Sequence, residues 1–284
     1  MQYRRLGQTD MIVSKISFGS APIGGMFGNV EDSITQIVET ALRNDPDESS
    51  TESLLHLHKG KDIVAHLLQN SAFHFSVGRF ELDFARNFDY RADEVLESLV
   101  NSLKRLRLTY IDVCFIQIHD ADFESQRNII LYETLQALEM ARSSGKIRYI
   151  GLAGYGLRRL ASLIDCSSVR IDVVQTYSHG SMNDNSVGEF TFMLQNKGIG
   201  ILNGSPLSMG LLTDQGPPPW HPAPDFIKET CLAATHYCMV CISKNMSISK
   251  LALAYAFQVP GMSSCIVGMD SVQQVGVREI ELEK

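Results

Sequence analysis

The segment Ile111-Asp-Val-Cys-Phe-Ile-Gln-Ile-His-Asp120 is a short, mostly apolar run that ends in two ionisable residues, His119 and Asp120. A run of this length with polar residues mainly at its end is typical of a parallel strand that is buried on both faces. In barrels of alternating strands and helices, the carboxyl ends of the strands carry the chemistry. The segment therefore predicts a strand over residues 111–117 that ends at a functional histidine.

Strand-like and helix-like segments alternate along most of the chain. The first residues predict a β-hairpin followed by a buried strand over residues 16–19, and Asp32 is the predicted N-cap of a helix that ends near residue 43. Further strands are predicted over 54–58, 73–77, 148–151, 173–177, 200–202 and 265–267, and helices over 91–106, 126–144, 187–196, 224–241 and 248–257 and from 157. About eight such repeats predict one domain, residues 1–284, with the fold of a (β/α)8 TIM barrel.

A doubly wound sheet is the alternative fold. It is disfavoured because no predicted strand leads into the Gly-x-Gly-x-x-Gly turn that dinucleotide-binding sheets of this kind use. The glycine-rich residues 19–28 have a different spacing. Residues 44–76 interrupt the pattern with an acidic, serine-rich run, and we expect the second strand of the barrel to be irregular there.

Composition narrows the class of function. The formal net charge of -7 argues against nucleic acid as a partner, because phosphate backbones require a basic surface. The sequence has no signal-like segment and no apolar run of about 18 residues, so we expect a cytoplasmic protein without membrane contact. The six cysteines lie mostly in apolar segments, and the Cys238–Cys241 spacing has no second pair to complete a metal site. No metal site is predicted.

Several motifs together resemble one enzyme superfamily. They are Gln117-Ile-His-Asp120, Gly145-Lys-Ile-Arg-Tyr-Ile-Gly151, Ser205-Pro-Leu-Ser-Met-Gly-Leu-Leu-Thr213, Gly216-Pro-Pro-Pro-Trp-His-Pro-Ala223 and Val267-Gly-Met269. The chain is similar through them to the aldo-keto reductases, and the Gly216–Ala223 block resembles the L-galactose dehydrogenase-like branch. The resemblance implies reversible hydride transfer between NADP (or NAD) and a small-molecule carbonyl or sugar.

The resemblance also implies the site residues. His119 matches the histidine that orients the carbonyl, and Trp220 lies in a loop that resembles one lining the substrate mouth. The expected cofactor-binding residues follow the first, seventh and eighth barrel strands, where parallel strand ends and a helix N-terminus also favour phosphate. They are Gly19 and Ser20 beside the nicotinamide, Ser205, Pro206 and Leu207 around the pyrophosphate, and Gly268, Met269, Ser271 and Gln274 near the adenosine.

The chain departs from the family pattern at the other catalytic groups. The family's Asp-Thr-x-x-x-Tyr-Gly motif has no counterpart in residues 44–70, and no tyrosine occurs between Tyr3 and Tyr90. Ser76 stands where the family has its lysine, directly before Val77-Gly78-Arg79. Arg278 stands near the position of an adenine-contacting asparagine.

Three functional interpretations follow. The first is an oxidoreductase whose activity is impaired or lost, because the catalytic tyrosine, lysine and aspartate motifs are absent. The second is a non-catalytic barrel that binds a nicotinamide cofactor as a sensor or regulatory subunit. The third is an aberrant splice product of an active reductase, which the abrupt return of family-like sequence at Val77 favours. The sequence does not decide among them, and it does not predict an oligomeric state.

Overall fold

The computed structural model describes residues 3–19, 36–37, 89–106, 108–120, 123–240, 247–269 and 271–274. Its strands are β1 Tyr3–Arg5, β2 Ile12–Ser14, β3 Ile16–Gly19, β4 Ile111–Ile118, β5 Ile147–Gly154, β6 Val173–Tyr177, β7 Gly200–Gly204 and β8 Ser264–Gly268. Its α-helices are α1 Ala92–Leu106, α2 Phe123–Ile129, α3 Leu135–Ser143, α4 Leu157–Cys166, α5 Gly188–Asn196, α6 Asp225–Val240 and α7 Ile248–Ala256. A π-helical turn, Ile130–Thr134, joins α2 to α3.

The central feature is a curled sheet of parallel strands. Within the described ranges it contains six strands in the order β3-β8-β7-β6-β5-β4. The first strand pairs with the last, and Gly19 lies opposite Gly268. In a barrel the first and last strands must pair, as β3 and β8 do here. A doubly wound sheet does not require this pairing. The predicted barrel fold is confirmed as a half-barrel of β3 to β8.

The N-terminal hairpin, β1 and β2, is also confirmed. Its apolar side chains Leu6, Met11 and Val13 are at most 1% exposed and share one core cluster with the barrel interior. Gly7 has a φ of +57°, and a Cβ there would lie 2.3 Å from the backbone nitrogen of Gly200. The hairpin therefore sits against the start of β7, at the end of the barrel opposite the expected active site.

Alternation along β4 separates the inside of the half-barrel from the outside. Val113 and Phe115 belong to the interior cluster, whereas Ile116 and Ile118 belong to the outer cluster that includes the helices. Because successive side chains of a strand point to opposite faces, Gln117 and the following His119 belong to the interior series. Alternation therefore predicts that the His119 side chain also faces the barrel interior.

The predicted element boundaries are largely confirmed. Strand β6 has the predicted bounds, while β5, β7 and β8 are longer than predicted. The single helix predicted over 126–144 is α2, the π-helical turn and α3, and it stops before Gly145, whose φ is +73°. No helix in the described residues is long and apolar enough to cross a membrane.

Several predictions lie outside the described residues. They are the strands over 54–58 and 73–77, the irregular region 44–76, and most of the helix that begins after Asp32. Of that helix, Gln36 and Ile37 are described, and both are helical.

Candidate active site

His119 directly follows β4, and its main chain is held by a tyrosine from outside the sheet. The Tyr90 hydroxyl donates a hydrogen bond to the carbonyl oxygen of Gln117 at 2.8 Å. The Tyr90 hydroxyl oxygen in turn accepts the N–H of His119 at 3.0 Å. The imidazole is half-buried, and its Nδ1 is shielded from solvent. The structure therefore places a partly buried histidine on a fixed main chain at the carboxyl end of the sheet.

Asp120, the second ionisable residue of the opening segment, takes a different direction. Its carboxylate forms an ion pair with Arg159 of α4 at 2.7 Å. A Cβ on Gly156 would lie 2.6 Å from the same carboxylate oxygen, so the chain passes closely beside it. Asp120 thus secures the loop between β5 and α4 and serves as a structural partner of the outer helices.

Two tyrosines join Gln117 at the barrel mouth. The Tyr177 hydroxyl donates to Gln117 Oε1 at 3.2 Å, and the ring centroids of Tyr155 and Tyr177 are 5.0 Å apart. Burial raises the pKa of both phenols, and charge repulsion between Tyr155 and Tyr177 raises the pKa of Tyr177 further. Both phenols are therefore neutral hydrogen-bond donors near neutral pH.

The loop after β7 contains the residues expected to surround a pyrophosphate. Ser205 has a φ of +55°, and its carbonyl oxygen accepts the N–H of Ser208 at 2.8 Å. Leu207 is only 8% exposed, and Pro206 is also buried. Ser208 and Met209 have φ values of +49° and +52°. Non-glycine residues adopt this region rarely, and it clusters at functional sites. The loop is tightly wound.

Trp220 lies in a loop that is hydrogen-bonded to the loop after β7. His221 Nε2 donates to the carbonyl oxygen of Ser208 at 3.1 Å, and His221 Nδ1 accepts the N–H of Ala223 at 3.0 Å. The Trp220 and His221 rings are stacked with their centroids 6.4 Å apart. Trp220 is 37% exposed. The structure thus brings the predicted substrate-mouth loop together with the predicted pyrophosphate loop.

The loop after β6 is hydrogen-bonded to the loop after β7. The Ser208 hydroxyl donates to Asn183 Oδ1 at 2.7 Å and lies 3.1 Å from the Ser181 hydroxyl. Asn203 of β7 donates to the carbonyl oxygen of Gly180 at 2.7 Å. The loops after β6 and β7 are therefore one hydrogen-bonded unit.

The ends of β3 and β8 hold the other expected cofactor residues. Gly19 and Gly268 pair at the last position of each strand, and a Cβ on Gly19 would lie 3.0 Å from backbone atoms of β8. Met269 donates its N–H to the Gly19 carbonyl oxygen at 3.3 Å. Ser271 Oγ accepts the N–H of Gln274 at 3.3 Å, which caps the first residues of a helical turn. Ser20 lies outside the described residues, as do Ser76 and Arg278.

Buried polar atoms without a partner indicate whether the barrel mouth could bind a dinucleotide whose ring carries an amide. In the part of the chain that the structure describes, Gln175 Oε1, Thr176 Oγ1, Ser178 Oγ and Asn203 Oδ1 are buried without a hydrogen-bond partner. Buried polar atoms of native proteins are usually hydrogen-bonded, so each exception calls for an explanation, such as a bound group. Gln175 belongs to the interior-facing positions of β6 and offers an acceptor for an amide donor. The residues present fit such a group.

Sequence reasoning missed Tyr90, Gln117, Gln175 and Tyr177. Gln117 and Gln175 carry the signal that identified His119, a polar residue near the carboxyl end of an apolar strand. Alternation with His119 also predicts that Gln117 faces inward. Tyr90 has no comparable signal, because its contact with β4 joins residues 27 apart in the sequence.

Known proteins identify the family. The L-galactose dehydrogenase of Arabidopsis thaliana is 36% identical over 97% of this chain and 86% of its own. The D-arabinose 1-dehydrogenase of Saccharomyces cerevisiae is 28% identical over 67% of this chain and 58% of its own. The solved holo form of aldo-keto reductase AKR11C1 from Bacillus halodurans shares the fold, with a TM-score of 0.68 at 20% identity over 100% of this chain and 91% of its own. Residues 36–276 match the aldo/keto reductase family. The chain belongs to that family, as its motifs predicted.

Proposed function

We propose that this chain is an NADP-dependent or NAD-dependent oxidoreductase that acts on an aldehyde or an aldose with low turnover. The observation that carries the proposal is that His119 directly follows β4 with its main chain held by Tyr90. It continues the alternating series in which Val113 and Phe115 face the barrel interior. The two relatives named for L-galactose and D-arabinose support an aldose as the substrate class.

The cofactor and the substrate would be bound by residues on two different sides of the barrel mouth. The loops after β7 and β8 would hold the diphosphate and adenosine through the main chain of Ser205–Leu207 and the helical turn at Ser271. Gln175 would accept from the amide of the nicotinamide. When bound, the cofactor supplies or takes up the hydride. His119 would orient the substrate carbonyl from the opposite strand, β4.

We expect low turnover because Tyr90, Tyr155 and Tyr177 are not suited to act as a general acid. The Tyr90 hydroxyl donates its proton to the carbonyl oxygen of Gln117, so it is not directed at a substrate. Burial raises the pKa of Tyr155 and of Tyr177, and no described lysine lowers either one. A phenol needs a nearby ammonium to act as an acid near neutral pH. None of these three replaces the family's acid, and loss of a general acid typically slows a reaction by about 10² to 10⁴.

A second candidate is a cofactor-binding barrel without catalysis. It is favoured by the intact hydrogen-bonded unit of loops after β6 and β7, which does not depend on the missing acid. Titration of NADPH against Trp220 fluorescence distinguishes the two when it is combined with turnover. Saturable quenching with no turnover supports this candidate.

The proposal includes a cytoplasmic location. Cys114, Cys166, Cys231, Cys238 and Cys265 are free thiols. Free thiols are usual in a reducing compartment.

The test is a turnover assay with purified protein. NADPH and NADH are each mixed with a reactive aldehyde, and the oxidised cofactors with L-galactose or D-arabinose. We expect a slow change in the absorbance of the reduced cofactor that is proportional to protein concentration. A rate of zero at every protein concentration, with all six combinations of cofactor and substrate, would contradict the proposal.

A further inference from the structure

Tyr90 occupies an unusual position at the end of β4. The residue is 1% exposed, and its hydroxyl both donates to the carbonyl oxygen of Gln117 and accepts from the N–H of His119. Residues 117 and 119 have the same parity along the strand, so these two groups point to the same edge of β4. A neighbouring strand would satisfy such a pair with its own main chain. Here one side-chain hydroxyl satisfies both.

Tyr90 is itself held from the helical layer. The hydroxyl of Thr134 donates to the carbonyl oxygen of Tyr90. Thr134 is 0% exposed and ends the π-helical turn between α2 and α3. Single π-helical turns inside helices occur frequently at functional sites. A buried hydrogen-bond path thus runs from Thr134 through Tyr90 to the main chain of His119.

The contacts of Tyr90 indicate that it positions the main chain of His119. The tyrosine hydroxyl uses its proton and a lone pair on main-chain groups, and it meets His119 at the backbone nitrogen. The direction of an imidazole depends on the main chain that carries it, and an orienting group loses effect rapidly when it is displaced.

We propose that Tyr90 is a positioning residue for His119, whose hydroxyl fixes residues 117–119 and so directs the imidazole into the barrel mouth. The kinetic consequence rests on the proposed function, in which His119 orients the substrate carbonyl. The structural consequence does not, because the state of the His119 main chain and ring is measurable without substrate or cofactor.

The first experiment is NMR of the full chain labelled with ¹⁵N-histidine. The His119 signals are assigned by their loss in His119→Gln. In the unsubstituted protein, the His119 amide should exchange slowly with solvent because Tyr90 holds it in a buried site. In Tyr90→Phe, which removes only the hydroxyl, the amide should exchange faster and the His119 ring signals should shift.

Two further variants complete the comparison. Thr134→Val removes the hydroxyl that holds Tyr90, and it should shift the His119 signals in the same direction by a smaller amount. Tyr132→Phe is the matched control, since Tyr132 lies in the same π-helical turn with a side chain that is 70% exposed. It should leave the signals unchanged. Should Tyr90→Phe fail to fold, Thr134→Val and exchange in the unsubstituted protein decide the matter.

Kinetics then separate this inference from the proposed function. Tyr90→Phe should lower kcat for a reactive aldehyde about tenfold while the KM for NADPH is unchanged, because only the orienting group is displaced. Fast exchange of the His119 amide in the unsubstituted protein would overturn the inference, as would unchanged His119 signals in the variants. An unsubstituted protein without turnover contradicts the proposed function alone, and the NMR comparison still decides the role of Tyr90.

Discussion

His221 fastens the Trp220 loop to the loop after β7 by donating from Nε2 to the carbonyl oxygen of Ser208, 3.1 Å away. Its Nδ1 accepts the N–H of Ala223 at 3.0 Å, so the ring is neutral in this arrangement. A proton on Nδ1 would remove that acceptor. The single tryptophan of the chain is the adjacent residue, and its fluorescence therefore reports on this attachment.

Acid should loosen this loop. Burial lowers the pKa of the His221 imidazole, Lys228 lowers it further, and the bond to Ser208 opposes them. A folded pKa below the unfolded value of about 6.5 means that this stabilisation is full above that pH and is lost as the pH falls through the folded pKa. We expect a change in Trp220 emission below about pH 6.5. His221→Gln should abolish it, and an identical transition in that variant would contradict the assignment.

Asp172 should be important for stability. Its side chain is 4% exposed and lies 3.0 Å from each of Arg142 and Arg170. It also accepts the N–H of Ile150 at 3.0 Å, which links β5 to the start of β6. Asp172→Ala leaves buried partners unsatisfied and should lower the free energy of unfolding by about 3 kcal/mol. Because burial raises the pKa of this carboxyl, its charge is itself unfavourable, and Asp172→Asn should be milder.

The control for Asp172 is an exposed ion pair. Lys197 and Asp165 lie 3.0 Å apart with side chains 42% and 58% exposed. Asp165→Ala should cost less than about 1 kcal/mol in urea unfolding. Equal losses for Asp165→Ala and Asp172→Ala would refute a special role for Asp172.

Gly7 and Gly145 make a matched pair for the hairpin contact. Both have positive φ, +57° and +73°, but a Cβ on Gly145 would meet nothing within 4 Å, whereas one on Gly7 would meet the backbone of Gly200 at 2.3 Å. Gly145→Ala should cost about 1–2 kcal/mol for the left-handed conformation alone. Gly7→Ala should cost about 1–3 kcal/mol more through overpacking. Thermal unfolding of both variants measures the difference, and similar losses would argue against a close contact between the hairpin and β7.

We expect neither tyrosine at the mouth to act as a general acid. Replacement of a true general acid lowers the rate by about 10² to 10⁴. Because burial raises the pKa of Tyr155 and of Tyr177, we expect Tyr155→Phe and Tyr177→Phe to retain kcat within about threefold, below that range. Steady-state rates across pH provide the measurement. A hundredfold loss in either variant, on the scale typical of a lost acid, would identify that residue as the acid.

Periodicity and strand-end chemistry predicted the fold well. The segments of β4 and β6 are short and rich in apolar and β-branched residues, so their positions were clear, and the barrel order followed from the alternation of strands and helices. The π-helical turn Ile130–Thr134 was not predictable, because one wide turn hardly disturbs the apolar pattern of a helix. The loops after β7 and β8 were located through family motifs, and their internal hydrogen bonds were not.

The candidate site was only partly predictable for a physical reason. His119 is marked by its own sequence context, whereas its support by Tyr90 depends on how α1 approaches β4. Asp120 follows His119 in sequence but pairs with Arg159, because neighbouring residues at a strand end take different directions. Short-range sequence patterns identify such residues but do not predict which distant residues contact them.

The catalytic role of His119 is tested most directly by comparing turnover in His119→Ala with that of the unsubstituted protein. His236→Ala is the control, since His236 is an exposed residue of α6. We predict slow reduction of a reactive aldehyde by NADPH that persists in His236→Ala and falls by at least about tenfold in His119→Ala, as expected when an orienting group is lost. Equal rates in all three proteins would show that His119 is not the working catalytic group of this barrel.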